Sequence, residues 1–156
     1  MLRVRDGCVG DIPAMMKLER DCATAGHWTE QNYLRIFDGS TTRLCLVVEG
    51  AAAVLGFIVV SSVGDEWEVE NIAVGQEARR RGVGSRLVSE FMERARARGA
   101  ASVFLEVRES NGPARTLYEK YAFVEAGRRK GYYSGPVEDA VLYRRELAGD
   151  GDRTIG

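Results

Sequence analysis

The residue pattern predicts a mixed α/β fold, a sheet with helices packed on it. Three observations predict it. Residues 43–74 read as three strand-like runs joined by tight turns. Apolar positions from Val83 to Ala95 recur at spacings of three and four. The segments on either side alternate between strand and helix patterns, in the order β-α-α-β-β-β-α-β-α-β-β.

Each element has a local reason. Residues 2–5 alternate as a short strand. Asp11 and Pro13 signal a helix start, and Ile12, Met15, Met16 and Leu18 give that helix an apolar face. A second helix opens at Thr29. Trp28 stands just before its cap and Tyr33 at its fourth helical position, the spacing of a hydrophobic staple. Residues 43–49, 53–63 and 66–74 read as antiparallel strands, with turns at Gly50 and at Gly64 and Asp65. The long helix lines up Val83, Leu87, Val88, Phe91, Met92 and Ala95 and stops at Gly99. Residues 102–107 form a strand. Asn111 and Pro113 open another helix, with Ala114, Leu117, Tyr118 and Tyr121 on one face. Strands near 124–129 and 137–146 finish the pattern. Residues 1–148 are expected to form one domain, and the Gly/Asp-rich residues 149–156 a flexible tail.

Composition narrows the function classes. The chain has 156 residues, 45% apolar and 29% charged, as in an ordinary globular protein. Its net charge of −1 makes it no general trap for nucleic acid. Charge is divided locally. Asp65, Glu66, Glu68 and Glu70 crowd one strand, and seven arginines fall within residues 79–98. One zone suits a cationic partner and the next an anionic one, although two solvated surfaces would look the same. No aromatic–basic interleaving of an RNA-recognition type is present. Cys8, Cys22 and Cys45 are odd in number and make no CxxC pair, and His27 is the single histidine. That excludes a structural zinc site and a disulfide framework, and it fits a reducing cytoplasm. The N-terminus lacks a signal-peptide core, and the apolar stretch near 51–60 is broken by Gly56 and too short to span a bilayer. A soluble, cytoplasmic protein with no membrane or nucleic-acid partner is expected.

The segment Arg79, Arg80, Arg81, Gly82, Val83, Gly84 lies between a strand and the long helix. The first N–H groups of a helix lack intrahelical partners and favour an anion. Gly82 and Gly84 allow close approach, and the arginines add charge. The pattern is no Walker A loop, since GK[ST] is missing, and no dinucleotide fingerprint, since Leu87 stands where a third glycine belongs. A tight turn with exposed arginines is the plainer alternative.

Ile72, Ala73 and Val74 followed by Arg79–Arg80–Arg81–Gly82–Val83–Gly84 resemble the coenzyme-A-binding motif of the GNAT acetyltransferases, (Q/R)xxGx(G/A) after a strand. Leu105–Glu106–Val107–Arg108–Glu109–Ser110–Asn111, with Ala114, Leu117 and Tyr118, resembles one branch of that family, the bacterial ribosomal-protein-alanine N-acetyltransferases. Arg129, Lys130, Tyr132, Tyr133 and Trp28 are similar to that branch too. The resemblance covers about residues 2–147 and is strongest over 71–133. It implies a mostly antiparallel sheet splayed at its centre, between the strands ending at Val74 and Val107. Acetyl-CoA would be the cofactor. Its pantetheine arm would lie in the opening against the backbone of Ile72 and Val74 as an added strand. Its pyrophosphate would sit on the amides of residues 81–85, Ser85 included.

Acetyl transfer from a thioester needs a neutral amine, a stabilised oxyanion and a protonated leaving thiolate. A carboxylate can take the amine's proton. Glu106 is the one charge in Val103–Phe104–Leu105–Glu106–Val107, and the resemblance assigns the base there. Burial would raise its pKa; the plainer reading is a polar-face carboxylate paired with Arg108. Glu68 and Glu70 compete for the role, since other branches of the resembling family place their base on the preceding strand, near Glu68; alternation puts Glu66, Glu68 and Glu70 on one face, where they would otherwise bind a cationic substrate or simply face water. Tyr118 is the acid for the thiolate by the same resemblance, and by periodicity a packed core residue. Asn111 reads as a helix cap and a partner for the cofactor's amide arm. The oxyanion would be held by a backbone N–H near Ile72. Tyr132 and Tyr133 read as a wall of the substrate pocket, and Trp28 either lines that pocket or serves the staple. Arg128, Arg129 and Lys130 read as a phosphate contact or a solvated run. No cysteine has a base in its pattern, so a covalent route is not expected.

The sequence departs from the family pattern at three places. Ala122 precedes Phe123 where glycine is usual, Gly75 and Gln76 replace Asp-Pro, and His27 precedes Trp28 where proline is common. The functional expectation is direct acetyl transfer from acetyl-CoA to an amine, with a protein N-terminal alanine foremost. A small-molecule amine acceptor and a non-catalytic acyl-CoA-binding regulatory domain are the alternatives. The oligomeric state stays open.

Overall fold

A computed structural model describes residues 1–22 and 28–147. The expectations for His27 and for the tail at 149–156 lie outside the described residues. Among the described residues the strands are β1 (Arg3–Asp6), β2 (Arg43–Gly50), β3 (Ala53–Val63), β4 (Glu66–Val74), β5 (Ser102–Arg108), β6 (Val124–Tyr133) and β7 (Glu138–Glu146). The helices are α1 (Ile12–Asp21), α2 (Glu30–Phe37), α3 (Val83–Ala97) and α4 (Gly112–Lys120). The strands form one sheet in the order β1-β2-β3-β4-β5-β7-β6. Every pairing is antiparallel except that of β4 with β5.

Two cores cover the two faces. Leu87, Val88 and Phe91 of α3 and Tyr118 of α4 pack on one face against Leu46, Ile58, Val103 and Leu105. Met15 of α1 and Tyr33 of α2 pack on the other against Val47, Phe57 and Val59. Each fully buried large apolar side chain there contributes about 1.5–3 kcal/mol. The α2 start follows its sequence signals. Thr29 Oγ1 accepts the Asn32 N–H at 3.2 Å, and the Trp28 ring tilts onto Tyr33 with centroids 5.4 Å apart.

Two local expectations are corrected. The first hairpin does not turn at Gly50, which pairs with Ala53 inside the ladder. Ala51 and Ala52 make the turn, both at positive φ (51° and 63°). Uninterrupted alternation along β4 also fails. Val60 faces Val69 but Val59 faces Asn71, so Glu70 is an extra residue, a β-bulge. Before the bulge Trp67 and Val69 face α3; after it Ile72 and Val74 do, while Ala73 joins the α1–α2 side.

Candidate active site

The parallel pair β4–β5 is short. It runs through Glu66–Ser102, Trp67–Val103 and Glu68–Phe104 and then stops. Each strand keeps its outer partner, β4 with β3 as far as Val74 and β5 with β7 as far as Arg108. The sheet therefore forks at its centre and leaves two strand edges facing an opening.

One hydrogen bond orients the β4 edge. Gly75 N–H donates to the Leu55 carbonyl at 2.9 Å, and Phe57–Ala73 continues that register. Bonded and non-bonded pairs alternate in an antiparallel ladder. Residues 71, 73 and 75 thus turn their backbone polar groups to β3, and Ile72 and Val74 turn theirs into the opening. Ala73 is accordingly corrected: its amide serves β3, and its side chain is buried.

The α3 entrance lies at the end of this edge. Gly82, the N-cap residue, has φ +80°, a left-handed conformation that glycine adopts without strain. Among the described residues no acceptor takes the N–H of Gly82, Val83, Gly84 or Ser85; the first helical bond is Arg86 N–H to Gly82 O. These amides and the helix dipole make an anion cradle. The arginines at 79, 80 and 81 are exposed around it. One expectation changes. The Arg81 amide donates to Ala78 O at 3.2 Å, so the cradle begins at Gly82. At Gly84 there is also little room inside, since a Cβ there would stand 3.2 Å from the Leu117 side chain of α4, which would have to give by a few tenths of an ångström. Lys120 Nζ lies 3.4 Å from Ser85 Oγ, and the Tyr121 hydroxyl donates to Ser85 O at 3.0 Å.

Acidic side chains gather on the α1–α2 face of the fork. Glu106 alternates with the buried Leu105 and Val107 and so faces away from α3 and α4. Its partner is Arg129 (Nε–Oε1 2.8 Å) and not Arg108, which binds Glu138 instead. Glu70 is held by Arg43 through two bonds of 2.6 and 3.2 Å. Glu68 has no ion pair among the described residues. Burial raises its pKa, and the charges of Glu70 and Glu106 raise it further. Arg128 pairs with Glu125 and Glu109, so neither Arg128 nor Arg129 reaches toward the cradle as a phosphate contact. Tyr132 is exposed and stands edge-on to Tyr133 at 5.2 Å; Arg129 lies over the first ring and Arg108 over the second.

Tyr118 occupies the opposite face. It is 1% exposed and packs edge-on against Phe123. Burial alone raises its pKa, which keeps the hydroxyl protonated. Among the described residues nothing hydrogen-bonds that hydroxyl, whose oxygen is not fully buried. Asn111 caps α4, its Oδ1 accepting the Ala114 N–H at 3.2 Å. Cys45 is an unreactive thiol at neutral pH, pushed up to about 12 by burial. Ala122 has φ +67°, the conformation for which glycine is usual.

The sequence reading missed the groups that hold these side chains in place. Arg43 and Arg129 bridge positions far apart in the chain, and no periodicity marks them. Glu19 and Asn71, both 4% exposed, are bonded to each other at 2.9 Å. Glu19 did leave a signal, as a charge in register with Ile12 and Met15 on the apolar face of α1. No helix among the described residues is long and apolar enough to cross a membrane.

Comparison with known proteins agrees with this geometry. A model of the acetyltransferase (GNAT) family matches residues 12–123. The [ribosomal protein bS18]-alanine N-acetyltransferase of Salmonella typhimurium is 34% identical over 134 residues, which are 85% of this chain and 88% of the relative. The crystal structure of the ribosomal-protein-S18-alanine N-acetyltransferase from Escherichia coli superposes with a TM-score of 0.84 at 29% identity and covers 94% of both chains. Ard1 from Thermoplasma volcanium follows with 0.82 at 31% identity, covering 94% of this chain and 97% of its own. With the family model spanning most of its length, the chain belongs to the GNAT acetyltransferases and is an acetyl-CoA-dependent N-acetyltransferase.

Proposed function

We propose that the acceptor is a protein N-terminal amine, with alanine foremost, of the ribosomal-protein type. The observation that carries this reading is the fork. It leaves a strand edge at Ile72 and Val74 for one substrate and an acidic, tyrosine-walled face at Glu68, Glu106, Tyr132 and Tyr133 for the other. The Salmonella typhimurium and Escherichia coli relatives are alanine N-acetyltransferases of a ribosomal protein and share the chain over most of its length. That acceptor would be met in the cytoplasm, where thiols such as Cys8, Cys22 and Cys45 stay reduced.

The two substrates divide the residues between them. Acetyl-CoA supplies an acetyl thioester. The backbone of Ile72 and Val74 would hold its amide arm, the amides of Gly82, Val83, Gly84 and Ser85 would hold its phosphates, and Asn111, the cap of α4, would be a further partner for the arm. A carboxylate of the acidic face takes one proton from the acceptor ammonium, and the freed nitrogen forms the new C–N bond as the C–S bond breaks. The N–H of Ile72, already aimed into the opening, donates to the oxygen on which negative charge develops. The Tyr118 hydroxyl, on the opposite face, would give its proton to the leaving sulfur and regain one from the second proton that the nitrogen sheds as the amide forms. Transfer is direct, in a ternary complex.

Glu106 is the first base. Its pairing with Arg129 is a part-exposed contact worth about 0–1 kcal/mol, so an incoming ammonium displaces it at small cost. Glu68 is the second reading, favoured by its raised pKa and by having no arginine partner among the described residues.

A thiol-release assay tests the acceptor. A short peptide with a free N-terminal alanine should turn over, and the same peptide with a blocked N-terminus should not. Turnover confined to small amines would replace the peptide with a small-molecule acceptor. Tight acetyl-CoA binding without turnover on any acceptor would point to a regulatory domain.

A further inference from the structure

We infer that Glu19 and Asn71 are positioning residues that fasten the acceptor side of the site to the cofactor side; this rests on the proposed acceptor reading. Asn71 directly follows the Glu70 bulge and precedes Ile72, the first residue of the cofactor edge. Its Nδ2 donates to Glu19 Oε2 at 2.9 Å and lies 3.4 Å from the Tyr33 hydroxyl. Both Glu19 oxygens accept the backbone N–H of Trp28 at 3.2 Å. One carboxylate therefore joins α1, the residue just before the α2 cap, and the bulged segment of β4.

This arrangement is costly for stability alone. A carboxylate 4% exposed, with no arginine or lysine partner among the described residues, is expensive to bury. Asn71 Oδ1 is the one fully buried side-chain nitrogen or oxygen without a hydrogen-bond partner among the described residues. Asn71 cannot turn over to satisfy it, because Oδ1 would then face the carboxylate. The polar pair fixes the distance between Trp28, which the acceptor reading would put at the pocket, and the β4 edge at Ile72, where the thioester carbonyl would lie. Direct transfer depends on that distance, and small misplacements of a reacting group cost rate steeply.

The test uses donor–acceptor polarity. Glu19→Gln leaves one oxygen to accept from both Asn71 Nδ2 and the Trp28 N–H, and puts an NH2 donor where the second carboxylate oxygen met the Trp28 N–H. Asn71→Asp sets two carboxylates together. The double variant restores one donor and one acceptor with the direction reversed and the net charge unchanged. Steady-state kinetics with the alanine peptide and acetyl-CoA are read beside 19F spectra of protein carrying fluorotryptophan, with buried Trp67 as internal reference. Each single variant should raise the peptide KM about tenfold or more, the scale of one buried charged hydrogen bond. Its acetyl-CoA KM should stay within about twofold of the original, and the Trp28 resonance should shift while that of Trp67 stays. The double variant should recover most of the loss. Equal changes in both KM values, a shift of Trp67 with Trp28, or a double variant no better than the singles would overturn the inference. If the unmodified protein leaves the peptide untouched, the acceptor reading fails; the Trp28 resonance still decides the coupling.

Discussion

Three carboxylates stand on one face of the fork, and their different partners assign them different work. Arg43 binds Glu70 at both oxygens, and Arg129 caps Glu106. Glu68 is raised first by burial, then by Glu70, then by Glu106. A carboxyl with a raised pKa stays protonated to higher pH, so a rate that needs its base form has an acid limb above the ordinary carboxylate range. Glu70→Gln removes the larger of the two charge effects on Glu68. If Glu68 is the base, the acid limb of kcat/KM moves to lower pH; if Glu106 is the base, that limb stays where it is. Glu106→Gln then separates the roles further. It should lower kcat about 100-fold or more at every pH when Glu106 takes the proton, a usual scale for general-base catalysis. Tyr118→Phe should lower kcat with acetyl-CoA binding intact, since the ring keeps its packing on Phe123. A Tyr118→Phe enzyme with unchanged kcat would remove the hydroxyl from the mechanism. The candidates themselves are legible in sequence because chemistry-bearing residues sit in apolar runs. Their partners are not, since Glu106 meets Arg129 and Glu70 meets Arg43 only once the strands have paired.

Elements with local causes follow their sequence signals closely. The Thr29 cap, the Trp28–Tyr33 staple and the apolar stripe of α3 depend on residues within a few positions of one another. The turn of the first hairpin was not legible, because Ala51 and Ala52 adopt positive φ without any of the residue types that usually announce it. The β4 bulge was not legible either, since the extra residue is defined only by its register against β3. Ala122 lies between these cases. Its departure from glycine is visible in sequence, and its φ of +67° supplies the physical consequence. A left-handed alanine is strained by about 1–2 kcal/mol, and part of that gain is offset by the greater unfolded-chain entropy of glycine. Ala122→Gly should therefore stabilise the fold by about 1 kcal/mol, visible as a rise of several degrees in Tm. A fall in Tm would show that the surroundings of Phe123 absorb the strain.

The fork belongs to the whole molecule. No single strand encodes it: β4 and β5 each read as ordinary strands, and their separation beyond Glu68 and Phe104 appears only when both are held by outer neighbours. The resemblance to a family implied the opening, whereas periodicity alone predicted only a sheet with helices on it. Its consequence is a pattern of amide exposure that can be measured. Asn71, Ala73 and Gly75 bond to β3, while Ile72 and Val74 face the opening, and the amides of residues 82–85 end a helix without acceptors among the described residues. In the free protein, hydrogen exchange should be slow at Ala73 and fast at Ile72, Val74, Val83, Gly84 and Ser85. Coenzyme A should slow the second group and leave Ala73 nearly unchanged, because an added strand bonds only the residues that point outward. At about 100 times its Kd the ligand also stabilises the whole fold by about 2.7 kcal/mol, which slows every globally exchanging amide alike. The residue-by-residue alternation along β4 is what separates strand addition from that uniform gain. Equal protection at Ala73 and its two neighbours would mean that the cofactor stabilises the sheet without pairing with its edge. Protection at Val83, Gly84 and Ser85 alone would place its phosphates in the cradle and its amide arm elsewhere.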